Sequence, residues 1–216
     1  VPFVPLQNTT LEECTESAHK LGKKIGSEFS VPVYMYGKAA TVPERSDLSF
    51  IRRGELPGLE KRIHSEPPDY GPPRIHPSAG ATAVGSRNIL IACNIDLDSR
   101  DLPAARRIAR AIRERDGGMP CVKALGLYLE SRDCVQVSMN LTDYRVTSML
   151  QVFSRVLQLA GDEGIKVRQS EIIGHLPRAA LEEKIVDSLQ IRSFVPKETY
   201  IEDCLERLIN EGQKRK

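Results

Sequence analysis

A proline-rich stretch in the first half of the chain carries the residue types best suited to a ligand site. Five prolines fall between Pro67 and Pro77, and Gly80 and Gly85 follow them. Proline fixes φ and has no amide N–H, so this part is neither helix nor central strand. Glycine allows a tight turn or a close approach to a ligand. Placed before the apolar run at 89–97, the stretch is either a binding loop or a rigid connector between domains.

Two arginines flank this loop and could hold an anionic ligand. A guanidinium binds a carboxylate through two parallel hydrogen bonds. Arg87 opens a predicted strand at a domain junction, whereas Arg74 lies among the prolines, so Arg87 is the stronger candidate. The alternative for both is an ordinary solvated surface charge.

Polar residues also interrupt the apolar strands of the second half. Those at 136, 138 and 140 alternate with apolar residues and therefore share one face of their strand. Such a face is either an ordinary solvent face or, if it faces another domain, a wall of donors and acceptors for a ligand. The polar residues in question are Asn94, Asp96, Gln136, Ser138, Asn140 and Asp143.

The remaining chemistry-bearing residues give weaker signals. Tyr34 and Tyr36 share one face of a strand, which is typical of aromatic core packing. His19 is expected to be exposed on a helix, and the other histidines are scattered without zinc spacing. No phosphate-loop, dinucleotide, nucleophile-elbow or zinc-protease motif occurs. The scattered residues are His64, His76 and His175, and the five cysteines are Cys14, Cys93, Cys121, Cys134 and Cys204.

Composition excludes several classes of protein. Lys and Arg total 31 against 29 for Asp and Glu, and only 5% of residues are aromatic, which disfavours a nucleic-acid surface. Apolar runs are too short for a transmembrane helix, and the first ten residues do not resemble a secretory signal. The odd number of cysteines, without a CxxC pair, favours reduced thiols in the cytoplasm and core filling by Cys93 and Cys134.

The predicted elements give an α/β (α+β) chain of two related units. The first half reads strand, helix, strand, with Thr10 and Glu13 as a capping box and with Gly22 and Gly26 weakening the helix end. The second half reads β-α-β-β-α-β, the ferredoxin-like pattern. Strands are expected at 1–7, 31–36, 88–97, 122–130, 134–141 and 167–173, and helices at 10–29, 46–53, 56–64, 102–115, 143–160 (capped by Thr142) and 177–189.

These patterns predict two ferredoxin-like subdomains whose sheets face each other, with helices outside. The first repeats only part of the βαββαβ pattern and is therefore incomplete. We place the two subdomains at 1–86 and 87–216.

Seven segments, in this order and spacing, resemble the formiminotransferase domain of the glutamate formimidoyltransferase family. The likeness extends along almost the whole chain. The segments are VPVYMYGKAA at 31–40, DYGP at 69–72, PSAGAT at 77–82, GSR at 85–87, NIDL at 94–97, LGLYLE at 125–130 and QVSMNLTD at 136–143.

The resemblance implies a folate site in the loop at 71–80, with Arg87 near a substrate carboxylate. Ala79 departs from the aromatic residue that the family often has there, which removes one stacking wall. The implied folate-binding residues are Gly71, Pro72, Pro73, Arg74, Ile75, His76, Pro77, Ser78, Ala79 and Gly80.

The resemblance also implies an activity, the transfer of a formimino group from N-formimino-L-glutamate to tetrahydrofolate in histidine breakdown. Tetrahydrofolate is then a co-substrate, no metal is needed, and the partners are these small molecules rather than nucleic acid or membrane. A homodimer is compatible with the family. The location implied is cytoplasmic.

The catalytic residue cannot be assigned. The start, VPFVPL, is similar to the segment that follows the family's catalytic His-Pro-Arg motif, and the one His-Pro pair here, His76-Pro77, does not match that motif. We therefore expect either a fragment or a longer protein whose N-terminal part lies outside these residues. A folate-binding or interaction module without catalysis is the alternative function.

Overall fold

The computed structural model describes residues 1–214 and divides into two compact units, Val1–Asn88 and Ile89–Lys216. Each unit has its own sheet. The mixed α/β architecture with two sheets and packed helices, predicted from the sequence, is confirmed.

The first unit has a small parallel sheet with a third strand inserted between the two predicted ones. The strand order is β1-β3-β2, and both neighbours run parallel to β3. Its elements are β1 (Pro2–Phe3), α1 (Leu11–Phe29), β2 (Val33–Gly37) and β3 (Thr82–Ser86). We predicted that loop, rather than strand, continues to about Ser86. Pairing on both sides overrides that local signal.

Helix α1 covers one face of this sheet. Thr10 and Glu13 form the predicted capping box, and Ser30 ends the helix with φ of 54°. Ala18 packs against Val33 and Val84. The helix therefore packs on the face of the sheet that carries the even-numbered residues of β3.

Two short helices between β2 and β3 cover the other face. They are α2 (Leu48–Arg52) and α3 (Glu55–Arg62), close to the predicted positions. Tyr34 and Tyr36 lie together in a cluster with Ile51 of α2 and Leu59 of α3, so their shared face and core packing are confirmed.

The second unit has the predicted β-α-β-β-α-β order. Its sheet is antiparallel with the order β5-β6-β4-β7, which is the ferredoxin-like arrangement. The elements are β4 (Ile91–Leu97), α4 (Leu102–Ile112), β5 (Val122–Leu129), β6 (Cys134–Leu141), α5 (Met149–Asp162) and β7 (Val167–Ile173).

Helices α4 and α5 bury one face of this sheet in a single apolar core. Ile95, Val137 and Met139 point into it with Ile108 of α4 and Phe153 of α5. The opposite face carries the polar residues that alternate with them, as predicted.

The predicted start of α5 was wrong. We expected Thr142 to cap a helix from 143, but Ser148 is the cap and forms a capping box with Gln151. Residues 142–147 instead form hydrogen bonds with the residues just before β5. The backbone N–H of Thr142 donates to the carbonyl of Cys121 (2.8 Å), and the Thr147 hydroxyl donates to that of Pro120 (2.6 Å).

The helix predicted at 177–189 is also wrong. Two short 3-10 turns, Arg178–Ala180 and Glu183–Ile185, replace it. Leu181, between them, is extended and fully buried, and its carbonyl accepts the Tyr200 hydroxyl (2.8 Å). Burial of this leucine outweighs helix propensity. Two helices that we did not predict follow, α6 (Pro196–Thr199) and α7 (Ile201–Lys214).

Within residues 1–214, no helix is both long enough and apolar enough to cross a bilayer.

Candidate functional site

The proline loop, defined here as residues 67–81, is fixed at its start by a buried ion pair. The Asp69 carboxylate accepts the backbone N–H of Met35 (2.7 Å) and a guanidinium N–H of Arg45 (2.9 Å), and it also accepts the Thr41 hydroxyl. Both charged side chains are less than a tenth exposed. A second Arg45 N–H donates to the carbonyl of Pro67 (2.7 Å), which ties the loop to its anchor.

The next two residues of the loop lie directly on helix α1. A Cβ on Gly26 would come within 2.6 Å of the Gly71 nitrogen, and one on Gly22 would come within 3.1 Å of the Tyr70 ring. Gly71 has φ of +79° and packs against the carbonyl of Val31. The sequence suggested that Gly22 and Gly26 weaken the end of α1, but the structure gives them a different role. They make room for the loop.

Tyr70 also connects the loop to a histidine. Its hydroxyl lies 2.9 Å from Nδ1 of His19, with the two rings edge to face. We expected His19 to be exposed, but it is partly buried by this contact. The loop start is thus held by an ion pair, an aromatic ring and close backbone packing at once.

A tight turn closes the far end of the loop. His76 and Gly80 exchange two backbone hydrogen bonds, both 2.9 Å long. The His76 Nδ1 accepts the backbone N–H groups of Ala79 (3.0 Å) and Ser78 (3.3 Å). Ile75 packs against the cluster that contains Tyr34. Contacts within the protein therefore hold both ends of the loop.

The predicted folate-binding residues are either half-buried or exposed, and none is fully buried. Gly80 has φ of +67°, which supports the need for glycine there. The residues of the loop that face solvent most are Gly71, Pro73, Arg74, Pro77, Ser78 and Ala79, whereas Pro72, Ile75, His76 and Gly80 are half-buried.

Arg87 lies at the opposite end of β3 from Gly80. At about 3.3 Å a residue, the two are separated by roughly 20 Å. The Arg87 guanidinium donates to the carbonyl of Asn88 (2.9 Å) and is partly exposed. The structure therefore does not bring Arg87 next to the loop. A single ligand could contact both only if it extends along β3.

Gly85 lies inside strand β3 and packs against Tyr36 of β2. A Cβ there would come within 2.6 Å of the Tyr36 ring, so the tyrosine occupies the space that the glycine leaves. Gly85 therefore does not form a turn, which was one of the two expectations for it, because it lies within a strand.

Two clefts of the first unit border the proline loop. The Arg45 cleft, about 490 Å³, is lined by the loop start and by Val42, Arg45 and Phe50. The Tyr34 cleft, about 330 Å³, is lined by Ala81 at the loop end, by Ala83 of β3, and by α2 and α3. Both have the size of ordinary small-molecule sites.

In the second unit, the polar face of the sheet forms one hydrogen-bonded network. Asp96 accepts N–H groups from Gln136 (2.7 Å), Gln169 (2.7 Å) and Arg132 (2.8 Å). Arg132 also donates to Glu171 (2.8 Å). Glu171 further accepts Asn94 and Gln136, each at 3.1 Å. The sequence predicted three of these residues, Asn94, Asp96 and Gln136, as members of a polar face.

This network lowers the pKa of both carboxyl groups. Burial by itself raises the pKa of Asp96, but the hydrogen bonds from Gln136, Arg132 and Gln169 outweigh it, so the pKa lies below its usual value. The pKa of Glu171 is lowered against burial in the same way, mainly by Arg132 and Asn94. Both groups are therefore anionic near neutral pH and already bound to donors.

The other polar candidates do not join the network. Asp143 pairs with Arg145 (2.7 Å), which lowers the pKa of its carboxyl, and Asn140 is exposed. Cys93 and Cys134 are buried as expected, and burial raises the pKa of the Cys93 thiol to about 12. In the part of the chain that is described, no three His, Cys, Asp or Glu side chains cluster as metal ligands would.

Sequence reasoning missed the Arg45–Asp69 pair and the seat of the loop on α1. One signal for the second existed, because Gly22 and Gly26 are four residues apart and share a helix face. No local signal joins Arg45 to Asp69, which are 24 residues apart.

Two family profiles match this chain. The formiminotransferase domain, N-terminal subdomain, matches residues 1–87, and the formiminotransferase domain matches residues 92–206. A glutamate formimidoyltransferase of Thermoplasma acidophilum is 40% identical, and one of Streptococcus pyogenes is 38% identical, over 90% and 89% of the chain. The chain spans 65% of the length of each of these two relatives. The formimidoyltransferase-cyclodeaminase of Mus musculus is 38% identical over 83% of this chain and 35% of its own.

Proposed function

The chain belongs to the formiminotransferase domain family, and we propose that it takes part in transferring a formimino group from N-formimino-L-glutamate to tetrahydrofolate. The likeness to two relatives named glutamate formimidoyltransferase, over about nine tenths of the chain, carries this proposal. We further propose that the reaction serves histidine breakdown.

The proline loop supports a folate site at 71–80. Its start is bound by Asp69 and Tyr70, and its end is bound by the His76–Gly80 turn. A loop that is ordered beforehand loses little conformational entropy when a ligand binds. The exposed residues 73, 74 and 77–79 then form a surface on which tetrahydrofolate binds.

The reaction needs two substrates held together and a proton moved between them. Nitrogen N5 of tetrahydrofolate attacks the formimino carbon, and a tetrahedral adduct forms. The bond from that carbon to the glutamate nitrogen then breaks, and the proton lost by N5 passes to the leaving nitrogen. Holding both molecules in one site removes the entropy cost of their encounter, and a general acid–base moves the proton.

His76 has a structural role in this proposal. Because its Nδ1 accepts backbone N–H groups, the neutral ring carries its proton on Nε2. That arrangement fixes the turn at 76–80. We therefore assign His76 to the shape of the loop and leave the acid–base group unassigned.

We also propose a cytoplasmic location and no metal cofactor. All five cysteines are free thiols. Free thiols in this number are typical of a reducing compartment. Tetrahydrofolate and formiminoglutamate are the partners that the proposal requires.

A turnover assay on the natural protein that contains this chain tests the proposal. The protein is mixed with tetrahydrofolate and N-formimino-L-glutamate, and glutamate and formimino-tetrahydrofolate are both quantified. We expect the two products in equal amounts. Absence of both products would reject the activity. Tetrahydrofolate binding without product would favour the non-catalytic binding module.

A further inference from the structure

Strand β5 is an open edge of the second unit's sheet. It comes first in the strand order β5-β6-β4-β7 and pairs with β6 alone. Among residues 1–214, no other backbone segment forms a hydrogen bond with the residues of this strand. An edge strand presents a row of backbone N–H and C=O groups that can pair with another extended chain. The outer side of β5 is therefore a place where a further strand can be added.

The sequence of β5 does little to block such pairing. Natural proteins protect their edge strands by short length, by proline, by bulges or by charged side chains. Strand β5 has 8 residues and no proline, and its pairing with β6 continues without a register shift. Its single charged residue is Lys123, near the start. Most of the edge is consequently long, regular and uncharged.

The face of β5 that is turned away from α4 is apolar and exposed. Val122 and Ala124 point into the apolar core that contains α4, so the side chains at 125 and 127 point to the opposite face. The exposed fraction is 59% for Leu125 and 40% for Leu127. Two neighbouring leucines on an edge strand form a surface on which the apolar side chains of an added strand can pack.

The other face of the edge carries positive charge from α4. This helix lies directly on β5, because a Cβ on Gly126 would come within 2.5 Å of the Arg106 backbone nitrogen. Arg106 and Arg110 are one helical turn apart, and both are exposed. In the part of the chain that is described, neither guanidinium has a hydrogen-bond or ion-pair partner, whereas Arg107 donates to Glu163. Both guanidinium groups are therefore available to an anionic partner beside the edge.

We propose that the edge of β5 binds an extended acidic segment of another protein, which adds a strand to the 4-stranded sheet of the second unit. Side chains of an added strand alternate between the two faces of the sheet. Its apolar side chains pack on Leu125 and Leu127, and its Asp or Glu side chains bind Arg106 and Arg110 on the other face. Main-chain hydrogen bonds supply affinity in this mode of recognition, and the alternate side chains supply specificity. The site is independent of formimino transfer.

A second copy of this chain fits the edge less well than an acidic segment. Antiparallel pairing of two β5 strands about a two-fold axis places helix α4 of both copies side by side on one face of the joined sheet. Arg106 and Arg110 of one copy then face the same two residues of the other. Like charges that face each other suppress such a contact, whereas opposite charges favour it. The charge on α4 therefore selects an acidic partner.

Titration with short synthetic peptides tests the proposal on the natural protein that contains this chain. The probe is a peptide in which Glu and Val alternate. The control peptides are one with alternating Lys and Val, one with the Glu and Val residues in two blocks, and the probe methylated on alternate backbone nitrogens. We expect the probe to slow hydrogen exchange in β5 and to bind about 10-fold or more tightly than each control peptide.

Reversal of the two charges gives the sharpest comparison. Arg106→Glu combined with Arg110→Glu should weaken the Glu–Val peptide by about 10-fold or more and make the Lys–Val peptide the tighter ligand. Arg207→Glu is the matched control, because Arg207 is exposed on α7 and lies outside the site. It should bind both peptides as the wild type does.

Three results would overturn the proposal. The first is a wild type that does not bind the Glu–Val peptide, or that binds its methylated form equally well. The second is the same loss of binding from Arg207→Glu as from the double variant. The third is a wild type that dimerises in sedimentation equilibrium and becomes monomeric as Leu125→Lys, because the edge then holds a second copy.

Discussion

Single glycines decide how closely the proline loop approaches helix α1. Alanine at a helical glycine normally stabilises a helix by up to about 1 kcal/mol. At Gly26 the added Cβ would lie 2.6 Å from the Gly71 nitrogen and 2.9 Å from the Tyr70 carbonyl carbon. These are backbone atoms that cannot turn away, so the clash outweighs the gain in helix propensity.

We predict that Gly26→Ala lowers the free energy of unfolding by about 1–3 kcal/mol, the usual cost of overpacking. Gly161, in helix α5, is the matched control, because a Cβ there meets nothing within 4 Å. Gly161→Ala should raise the free energy of unfolding by up to about 1 kcal/mol. Urea denaturation measures both, and shifts of the same sign would contradict the account.

Arg87 is the residue for which the folate proposal predicts the largest charge effect. Loss of a charge-assisted hydrogen bond costs about 1.5–3 kcal/mol, so Arg87→Ala should weaken tetrahydrofolate binding by about 10- to 150-fold. The control is Arg106→Ala, because Arg106 is exposed on α4. This variant should bind tetrahydrofolate as the wild type does. Calorimetric titration provides the comparison. Equal affinity of the two variants for tetrahydrofolate would mean that Arg87 is an ordinary surface charge.

At the scale of elements, the hydrogen-bonded network on the polar face of the second unit's sheet makes the stability of the protein depend on pH. The folded-state pKa of Asp96 is lowered. Its contribution to stability is therefore complete above the unfolded value near pH 4, and it is lost as pH falls from there through the folded value.

We predict that Asp96→Asn lowers the free energy of unfolding near neutral pH by about 1.5–3 kcal/mol and makes the loss of stability in acid shallower. The control is Asp98→Asn, because Asp98 is exposed and pairs with Arg168 at the surface. A surface pair contributes about 0–1 kcal/mol. Denaturation between neutral pH and pH 3 tests this. An acid slope unchanged by Asp96→Asn would show that the network does not set the pH dependence.

The cap of α5 gives a second prediction at this scale. The Ser148 hydroxyl oxygen accepts the backbone N–H of Gln151 (3.3 Å), and the Ser148 backbone N–H donates to Oε1 of Gln151 (2.8 Å). Ser148→Ala should cost about 1 kcal/mol of unfolding free energy. Ser154→Ala, at an exposed position inside the same helix, should cost nothing, because alanine is the better helix former. Similar losses from both would mean that the helix does not depend on its cap.

Across the whole molecule, the secondary-structure elements that were predicted correctly are those for which a local sequence pattern is sufficient. Strands at 134–141 and 167–173 and the cap at Thr10 match the structure because alternation and a capping box are local signals. Strand β3, the start of α5 and the turns near Leu181 were missed, since partners distant in the sequence determine them. The facing arrangement of the two sheets stays a prediction.

In the candidate site, too, local patterns could be predicted from the sequence and long-range contacts could not. Proline and glycine spacing identified the loop, and alternation identified the polar face that contains Asp96. The anchors could not be predicted, because the Arg45–Asp69 pair and the Tyr70–His19 contact join residues 24 and 51 positions apart. Long-range pairs of this kind leave no trace in local periodicity.

Hydrogen exchange of the loop amides, with and without saturating tetrahydrofolate, tests the central claim most directly. Seven residues of the loop at 71–80 carry an amide proton, because three of the ten are prolines. The account predicts slower exchange in peptides covering this loop when tetrahydrofolate is bound, and unchanged exchange in peptides covering α5. Unchanged exchange across the loop, under conditions where calorimetry shows the ligand to be bound, would contradict it.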